Sequence, residues 1–510
     1  MATAIPDKVD LLVVGGGING AGIARDAAGR GLSVLLVEQG DLGGSTSSAS
    51  SKLIHGGLRY LEQYEFGLVH EALAEREVLL RTAPHLVRPM RFVMPHVPEL
   101  RPAWMIRAGL FLYDYLARRH TLPGSESVSL RASRYGAGLK PDLVKGFVYS
   151  DCWVDDARLV VATARAAADA GGVVLPRTAC VAARRDARGW RATLSGADGA
   201  HAEVTARALV NVTGPWARKF LHEALQARTT FGLRLVKGSH IVVPRLYEGD
   251  HACILQNDDR RVVFAYAYEQ RYTLIGTTDV ELSGEPAPCA ASPEEVAYLC
   301  RAANRYFLRQ ITPGDVVWSY CGVRPLFDDR SVAPSAVTRD YVLRMDAAGD
   351  EAPVLSVFGG KITTYRRLAE HALERLAPWF PAMRVAWTAN AALPGGDLHG
   401  VTLQAFADFH LQRDFPWLAP GLRRALARRH GALAYDVLAN AASVRDLGAH
   451  FGADLYAREI DYLIEREWAR HGDDVLWRRT KCGLHLAPEQ REAVARYVAR
   501  RLSDRSPTNS

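Results

Sequence analysis

The stretch from Val9 to Glu38 constrains this chain more than any other, because it reads as strand, glycine turn, helix and second strand in immediate succession. Val9-Asp10-Leu11-Leu12-Val13-Val14 is a short, largely apolar run of the kind buried on both faces of a parallel sheet. Gly15-Gly16-Gly17-Ile18-Asn19-Gly20 follows in the G-x-G-x-x-G pattern. Gly15 permits the tight turn, Gly17 lets a pyrophosphate approach the backbone, and Gly20 lets the helix pack close to the strand. The helix, expected to run to about Arg30, offers its unpaired amides and positive dipole end to phosphates. Leu32 to Val37 is the next apolar strand, and Glu38 stands at its carboxyl end, eighteen residues past Gly20. A carboxylate there accepts hydrogen bonds from both hydroxyls of an adenosine ribose and repels a 2'-phosphate. The pattern predicts a Rossmann-like dinucleotide-binding unit.

At 510 residues the chain is too long for one ordinary domain, so two or three are expected. Hydrophobic residues at 48% and charged residues at 23% suit a soluble globular chain with a substantial core. No run approaches the ~20 apolar residues of a membrane span, and the N-terminus enters the nucleotide strand without a secretory signal, so a cytosolic chain is expected. Seven cysteines lack C-x-x-C spacing, which excludes the usual zinc and iron-sulfur patterns and predicts reduced, mostly buried thiols and no metal. The net charge of +7 fits anionic substrates or an anionic membrane surface as well as simple solubility. Basic residues are dispersed among acids, which argues against nucleic acid.

After Glu38, a Ser/Thr-rich segment from Ser45 to Lys52, with Thr46, Ser47 and Ser51, is placed to lay hydroxyls and amides along a cofactor. Next, His55-Gly56-Gly57-Leu58-Arg59 combines a titratable nitrogen, a backbone open to a planar ring and a fork-shaped cation. Residues 68–81 have helical spacing and read as scaffold. Residues 101–120 combine Trp104, Met105, Ile106, Phe111, Leu112 and Tyr115 with flanking arginines, a pattern open to a core helix or a membrane-interface helix. Tyr149 to Asp156 reads as the opening of a helix with Asp155 and Asp156 as first-turn acids, and Val173 to Leu175 as another parallel strand. A small antiparallel meander follows to about Thr205, and Ala208 to Trp216 runs a strand into a turn at Gly214. From about 217 to 320, alternating strands predict an antiparallel sheet inserted into the nucleotide fold. Gly322 to Leu326 and Leu355 to Tyr365 read as a return to the first fold; in the latter, Gly359, Gly360 and Thr363 mark a helix start and Lys361 adds a cation. Leu393 to Asp397 is the clearest boundary, with a helical cap or interaction domain beyond it.

These segments together resemble the FAD-dependent, quinone-linked glycerol-3-phosphate dehydrogenases of aerobic bacteria. The carriers are GGGINGAGIARDAAGRGLSVLLVE, TSSASSKLIHGGLRYLE, FGLVHEALAEREVLL, SDCWVDDARLV, NVTGPW, KGSHIVVP, IGTTDVE, GVRPL and VFGGKITTYRRLAEHALE over residues 9 to about 375, with WRRTKCGLHL beyond. Gly43 and Gly44 depart from the family without chemical consequence. The resemblance implies an amine-oxidase-like α/β flavoprotein fold: an FAD-dependent region over 1–390, with substrate-domain segments at about 86–145 and 217–320, and a helical domain over 391–510. It also implies a peripheral enzyme on the inner face of the cytoplasmic membrane, a homodimer, passing electrons to ubiquinone or menaquinone.

Carried residue by residue, the resemblance places substrate contacts at His55, Arg59, Tyr60, Thr277, Arg324 and Lys361. FAD contacts are expected from Gly15, Gly17, Asn19, Gly20, Glu38, Thr46, Ser47, Ser51, Gly56, Gly57, Gly214, Gly359, Gly360 and Thr363. The expected reaction is oxidation of sn-glycerol 3-phosphate to dihydroxyacetone phosphate, with Arg59 and Arg324 on the phosphate, His55 as base, and Lys361 with Arg324 stabilising negative charge. Open alternatives are an oxidase using oxygen on the same substrate, an amino-acid or sarcosine-type oxidase, and a flavin-bound scaffold protein.

Overall fold

A computed structural model describes residues 5–186, 189–227, 232–259, 261–328, 340–347 and 351–504, with the side chain of Arg59 outside that description. The opening unit is β1 (Lys8–Val14), α1 (Ile18–Gly29) and β2 (Val34–Glu38). Leu11, Leu12, Val13, Leu35, Leu36 and Val37 have no solvent exposure, as a strand pair covered on both faces requires. The small residues of α1 then let it pack against two further helices.

In chain order there follow β3 (Leu53–Ile54), α2 (Phe66–Thr82), β4 (Val87–Pro95), α3 (Ala103–Tyr115), β5 (Glu126–Ser129), β6 (Lys145–Val154) and α4 (Asp156–Asp169). After them come β7 (Val173–Pro176), the meander β8 (Thr178–Asp186), β9 (Gly189–Gly196) and β10 (His201–Asn211), and α5 (Ala217–Glu223). The antiparallel set is β11 (Gly232–Pro244), β12 (Ala252–Gln256), β13 (Val262–Tyr268), β14 (Tyr272–Gly276), β15 (Val280–Leu282), α6 (Pro293–Tyr306) and β16 (Trp318–Asp328). The return is β17 (Val342–Asp346), β18 (Val354–Phe358) and α7 (Tyr365–Leu376).

Two sheets organise these elements. The first runs β17-β18-β10-β1-β2-β7, parallel from β18 to β7, with β9 and β8 folded back on β10. The second runs β15-β11-β14-β13-β12-β4-β6-β3, antiparallel except where β12 meets β4, with β16 along β11 and β5 along β6. This is a mixed α/β architecture: a parallel nucleotide-type sheet with α1, α4 and α7 on one face and the β8–β9 meander with α5 on the other, joined to a larger antiparallel sheet.

Several expectations change. Tyr149 to Val154 is strand rather than helix start: β6 pairs with β4 over nine positions, and helix α4 begins only at Asp156. Asp155 is the cap, its carboxylate accepting from Arg158 N at 3.2 Å. Buried Asp151 in β6 is tolerated because Arg76 and the Tyr113 hydroxyl, both donating to it, neutralise and satisfy it. Gly322 to Leu326 does not return to the first sheet; it lies in β16, paired with β11 from Gly232 to Val242. Helix α7 starts at Tyr365, four residues past Lys361, so Lys361 belongs to the loop before it. Cys289 and Cys321 are joined in a disulfide, Cα atoms 6.0 Å apart, because a loop end lies beside β16; the other five cysteines are free.

Beyond residue 390 the chain builds its own core from Phe406, Leu411, Leu426, Leu438, Ile460, Leu463, Val494 and Val498. Helices Pro420–His430, Ala457–Arg466 and Pro488–Ser503 carry most of it. The segment around Leu393 is packed, Leu393 N donating to Thr82 O at 2.8 Å. Glu467 is buried against Arg158 of α4. No helix among the described residues is long and apolar enough to cross a membrane.

Candidate functional site

The glycine turn shows why each residue type is required. Gly15 has φ +119°, and a Cβ there would lie 2.5 Å from Val212 O. A Cβ on Gly20 would lie 1.9 Å from Gly15 O, so helix and strand touch through bare backbone. Gly17, by contrast, has only Ser47 Oγ within 4 Å of a Cβ among the described residues. Glu38 closes the turn: Oε2 accepts from Gly16 N and Oε1 from Gly40 N, each at 2.7 Å. Burial pushes its carboxyl up, and the two amides oppose that shift.

From this turn a cavity of about 1880 Å³ runs along the Ser/Thr loop to the second sheet. Single-ligand pockets are roughly 300–1,000 Å³, so the space suits a cofactor and a substrate together. Buried Lys52 fixes the loop, donating to Ser48 O at 2.9 Å and pairing with Asp156 at 2.8 Å. On the loop, Thr46 Oγ1 donates to Val323 O at 2.8 Å, Ser47 Oγ accepts from Ile18 N at 3.0 Å, and Ser51 Oγ is 2.9 Å from His240 Nε2. Gly214, with φ +58° and nothing within 4 Å of a Cβ, leaves the opposite wall bare.

The wall of the same cavity also includes His55, Tyr60, Thr277, Arg324, Lys361 and Thr363. His55 is half-buried, its backbone N donating to Thr363 Oγ1 at 3.3 Å. Burial and then the nearby Lys361 charge push its imidazole down to about 4, so it is neutral at pH 7. The Lys361 ammonium is buried without a hydrogen-bond acceptor among the described residues and sits 4.1 Å from the Tyr60 ring centre. Arg324 pairs with Asp279 and donates to Thr277 Oγ1 at 3.2 Å. Asn19 donates to Gly359 O at 3.3 Å while its own oxygen lacks a partner among the described residues. Gly359 and Gly360 have φ of +76° and +91°, and Gly57 +77°.

Not every expected residue reaches the wall. Gly20 and Gly56 stand behind it; Gly56 N donates to the Tyr113 hydroxyl at 2.8 Å and a Cβ there would strike Leu73. Arg59 lies in the short helix Leu58–Gln63, its side chain outside the described residues. His240 was missed from the sequence: it lines the cavity, stacks on Tyr320 at 4.8 Å and keeps an Nδ1 unpartnered among the described residues. The signal was present, because Arg234, Val236, Gly238 and His240 alternate along β11 and all face the cavity. The cavity also reaches Leu58, Tyr64, Phe66, Trp104, Met105 and Leu112 at its outer rim. There Trp104 is 70%, Phe111 58% and Tyr115 70% exposed, so α3 presents an apolar outer face.

Known proteins are similar to this chain along nearly its whole length. A model of FAD dependent oxidoreductases matches residues 10–366, and one of the C-terminal domain of alpha-glycerophosphate oxidase matches 386–505. The aerobic glycerol-3-phosphate dehydrogenase of Escherichia coli is 52% identical over 501 residues, covering 97% of this chain and 99% of the relative. The D-erythritol 1-phosphate dehydrogenase of Brucella abortus is 50% identical over 495 residues, covering 97% and 98%. The crystal structure of glycerol-3-phosphate dehydrogenase from Bacillus halodurans, complexed with FAD, superposes with a TM-score of 0.78 at 26% identity, covering 97% of this chain and 91% of that one.

The residues present fit FAD. The open side of Gly17, the Asn19 oxygen without a partner among the described residues, the Glu38 carboxylate on the cavity wall and the volume of the cavity all match a dinucleotide with a planar ring. FAD is the cofactor, and the chain belongs to the family of FAD-dependent glycerol-3-phosphate dehydrogenases.

Proposed function

We propose that this enzyme oxidises sn-glycerol 3-phosphate to dihydroxyacetone phosphate and passes the electrons to ubiquinone or menaquinone. One observation carries the reading: His55, Thr277, Arg324 and Lys361 line the same cavity as the dinucleotide turn. Bound FAD supplies the hydride acceptor at its N5. Gly15, Gly17, Glu38 and Gly214 hold its nucleotide half, with Gly20 behind them letting the helix close on the turn; Asn19, Thr46, Ser47, Ser51, Gly56, Gly57, Gly359, Gly360 and Thr363 line or support the path of the rest.

Arg324 and Arg59 hold the phosphate, Arg324 exchanging its Asp279 partner for the stronger anion. Neutral His55 takes the C2 hydroxyl proton, for which its depressed basicity leaves the acceptor nitrogen free at pH 7. Lys361, lacking an acceptor among the described residues, offers its ammonium to charge developing on the C2 oxygen. Tyr60 holds Lys361 in place through its ring, and Thr277 orients Arg324.

The FAD-dependent region is read as 1–390 with substrate segments at about 86–145 and 217–320, and 391–510 as a helical interaction domain. The exposed apolar face of α3 at the cavity rim supports peripheral attachment to the inner face of the cytoplasmic membrane, where a quinone is reached without leaving lipid. The homodimer rests on the resemblance alone.

Anaerobic titration tests the reading. Glycerol 3-phosphate bleaches the flavin absorbance, D-erythritol 1-phosphate bleaches it less efficiently, and a quinone analogue restores it; flavin left oxidised by both phosphates sinks the assignment. The match of residues 386–505 to an oxidase domain favours a second reading, oxygen as acceptor. Stoichiometric peroxide with slow quinone reduction would establish it.

A further inference from the structure

The C-terminal domain contributes a helical turn, Asp474–Arg479, that reaches into the nucleotide-binding half. Arg479 is fully buried; its Nη2 donates to Asp41 Oδ1 at 2.9 Å and to Glu467 O at 2.7 Å, and its Nη1 donates to the other Asp41 oxygen. Arg478 Nε reaches the same carboxylate at 2.5 Å while its other end pairs with Asp474. Arg177, just past β7, joins Asp474 at 2.5 Å and lies 3.8 Å from Asp41. Asp474 is held further by Arg470 N at 2.8 Å and His471 N at 2.9 Å.

Asp41 sits three residues past Glu38, in a loop whose Gln39 and Gly43 line the cavity. Within that loop Gly40 N donates to Glu38, Gly40 O accepts from Arg177 N at 2.8 Å, and Gly43 N donates to Gly16 O at 2.9 Å. The five side chains Asp41, Arg177, Asp474, Arg478 and Arg479 therefore brace the backbone that aims the Glu38 carboxylate. A buried cluster of this kind is costly to desolvate and adds little to net stability, but it fixes geometry.

We propose that Arg478 and Arg479 are positioning residues for the FAD adenosine: the C-terminal domain clamps Asp41 and thereby presents Glu38 to the ribose. The inference rests on Glu38 being the ribose acid. It gives the C-terminal domain a duty in cofactor retention.

The test is a double-mutant cycle on the full chain. FAD is stripped from wild type, Arg478→Gln, Glu38→Gln and the double variant, and FAD affinity is measured on each apoprotein by flavin fluorescence. Arg478→Gln raises the dissociation constant about tenfold when Glu38 is present and less than about twofold in Glu38→Gln, as for coupled neighbours. Arg478→Lys, which keeps the charge but loses the fork, falls between and serves where glutamine prevents folding. Equal losses in both backgrounds, or unchanged affinity in Arg478→Gln, overturn the clamp. Unchanged affinity in Glu38→Gln alone overturns the ribose assignment and, with it, a clamp acting through Glu38. The thermal midpoint of each apoprotein separates these results from loss of fold.

Discussion

A histidine serves as a base only if it is unprotonated when substrate arrives, and His55 meets that condition with a wide margin because burial and Lys361 hold it at about 4. Flavin reduction by saturating glycerol phosphate should accordingly be flat from pH 8 down to about 5.5, with no decline near the ordinary imidazole value of ~6.5. Stopped-flow reduction across that range checks it; a limb at 6.5 would show that another group titrates. His55→Gln should slow the reductive step by about 10²–10⁴-fold with a much smaller change in substrate dissociation constant. At this scale the sequence was informative about types and poor about partners. His55, Arg324 and Lys361 stand out by chemistry, whereas the Arg324–Asp279 pair and the Ser51–His240 contact join residues 45 and 189 positions apart and exist only once the sheets are packed. Gly56 illustrates the converse: adjacent in sequence to a wall residue, it turns inward to Tyr113.

Among elements, the first turn is the least forgiving. Gly20→Ala places a Cβ 1.9 Å from Gly15 O, a clash between backbone and Cβ that no rotamer change relieves. The variant should purify without yellow colour, and its FAD content read from absorbance settles the point; a fully flavinylated protein would mean that strand and helix can separate. The β1–α1–β2 unit was legible because every local signal in it agrees, from apolar strands to glycine positions to the terminal acid. Elements β6 and β16 were not. In β6 the acidic stretch Asp151 to Asp156 mimics a helix opening, and only the distant Arg76 and Tyr113 make a buried carboxylate acceptable in a strand. For β16, nothing local reveals that its eleven residues pair with β11 in the second sheet. The disulfide between Cys289 and Cys321 was hidden for the same reason, since spacing in sequence carries no trace of it.

For the whole molecule, acid should weaken the fold from a defined pH. Burial, as the main cause, holds His85 at about 3 and His251 at about 4, alongside His55. These rings are neutral when folded and take protons near 6.5 when unfolded, so the unfolded chain binds more protons in the window between. Their contribution is complete above about 6.5 and is lost progressively as pH falls toward 4. Thermal melts at pH 7.5 and 4.5 should show a lower midpoint in acid, and His85→Gln should shrink the difference. A second expectation concerns the exposed face of α3. Trp104→Asp together with Phe111→Asp should cut sedimentation with anionic vesicles by about tenfold while leaving flavin reduction by glycerol phosphate intact. Unaltered vesicle binding would move the membrane contact elsewhere.

The second sheet draws strands from residues 53–54, 87–95, 126–154 and 232–328, and the first is not complete until β18 joins β10. On a translating ribosome, the pocket for FAD therefore has no finished walls until the nascent chain has emerged beyond Lys361. Cofactor capture becomes a closing event of biogenesis, and the growing polypeptide must keep its early apolar strands from aggregating through most of its own synthesis.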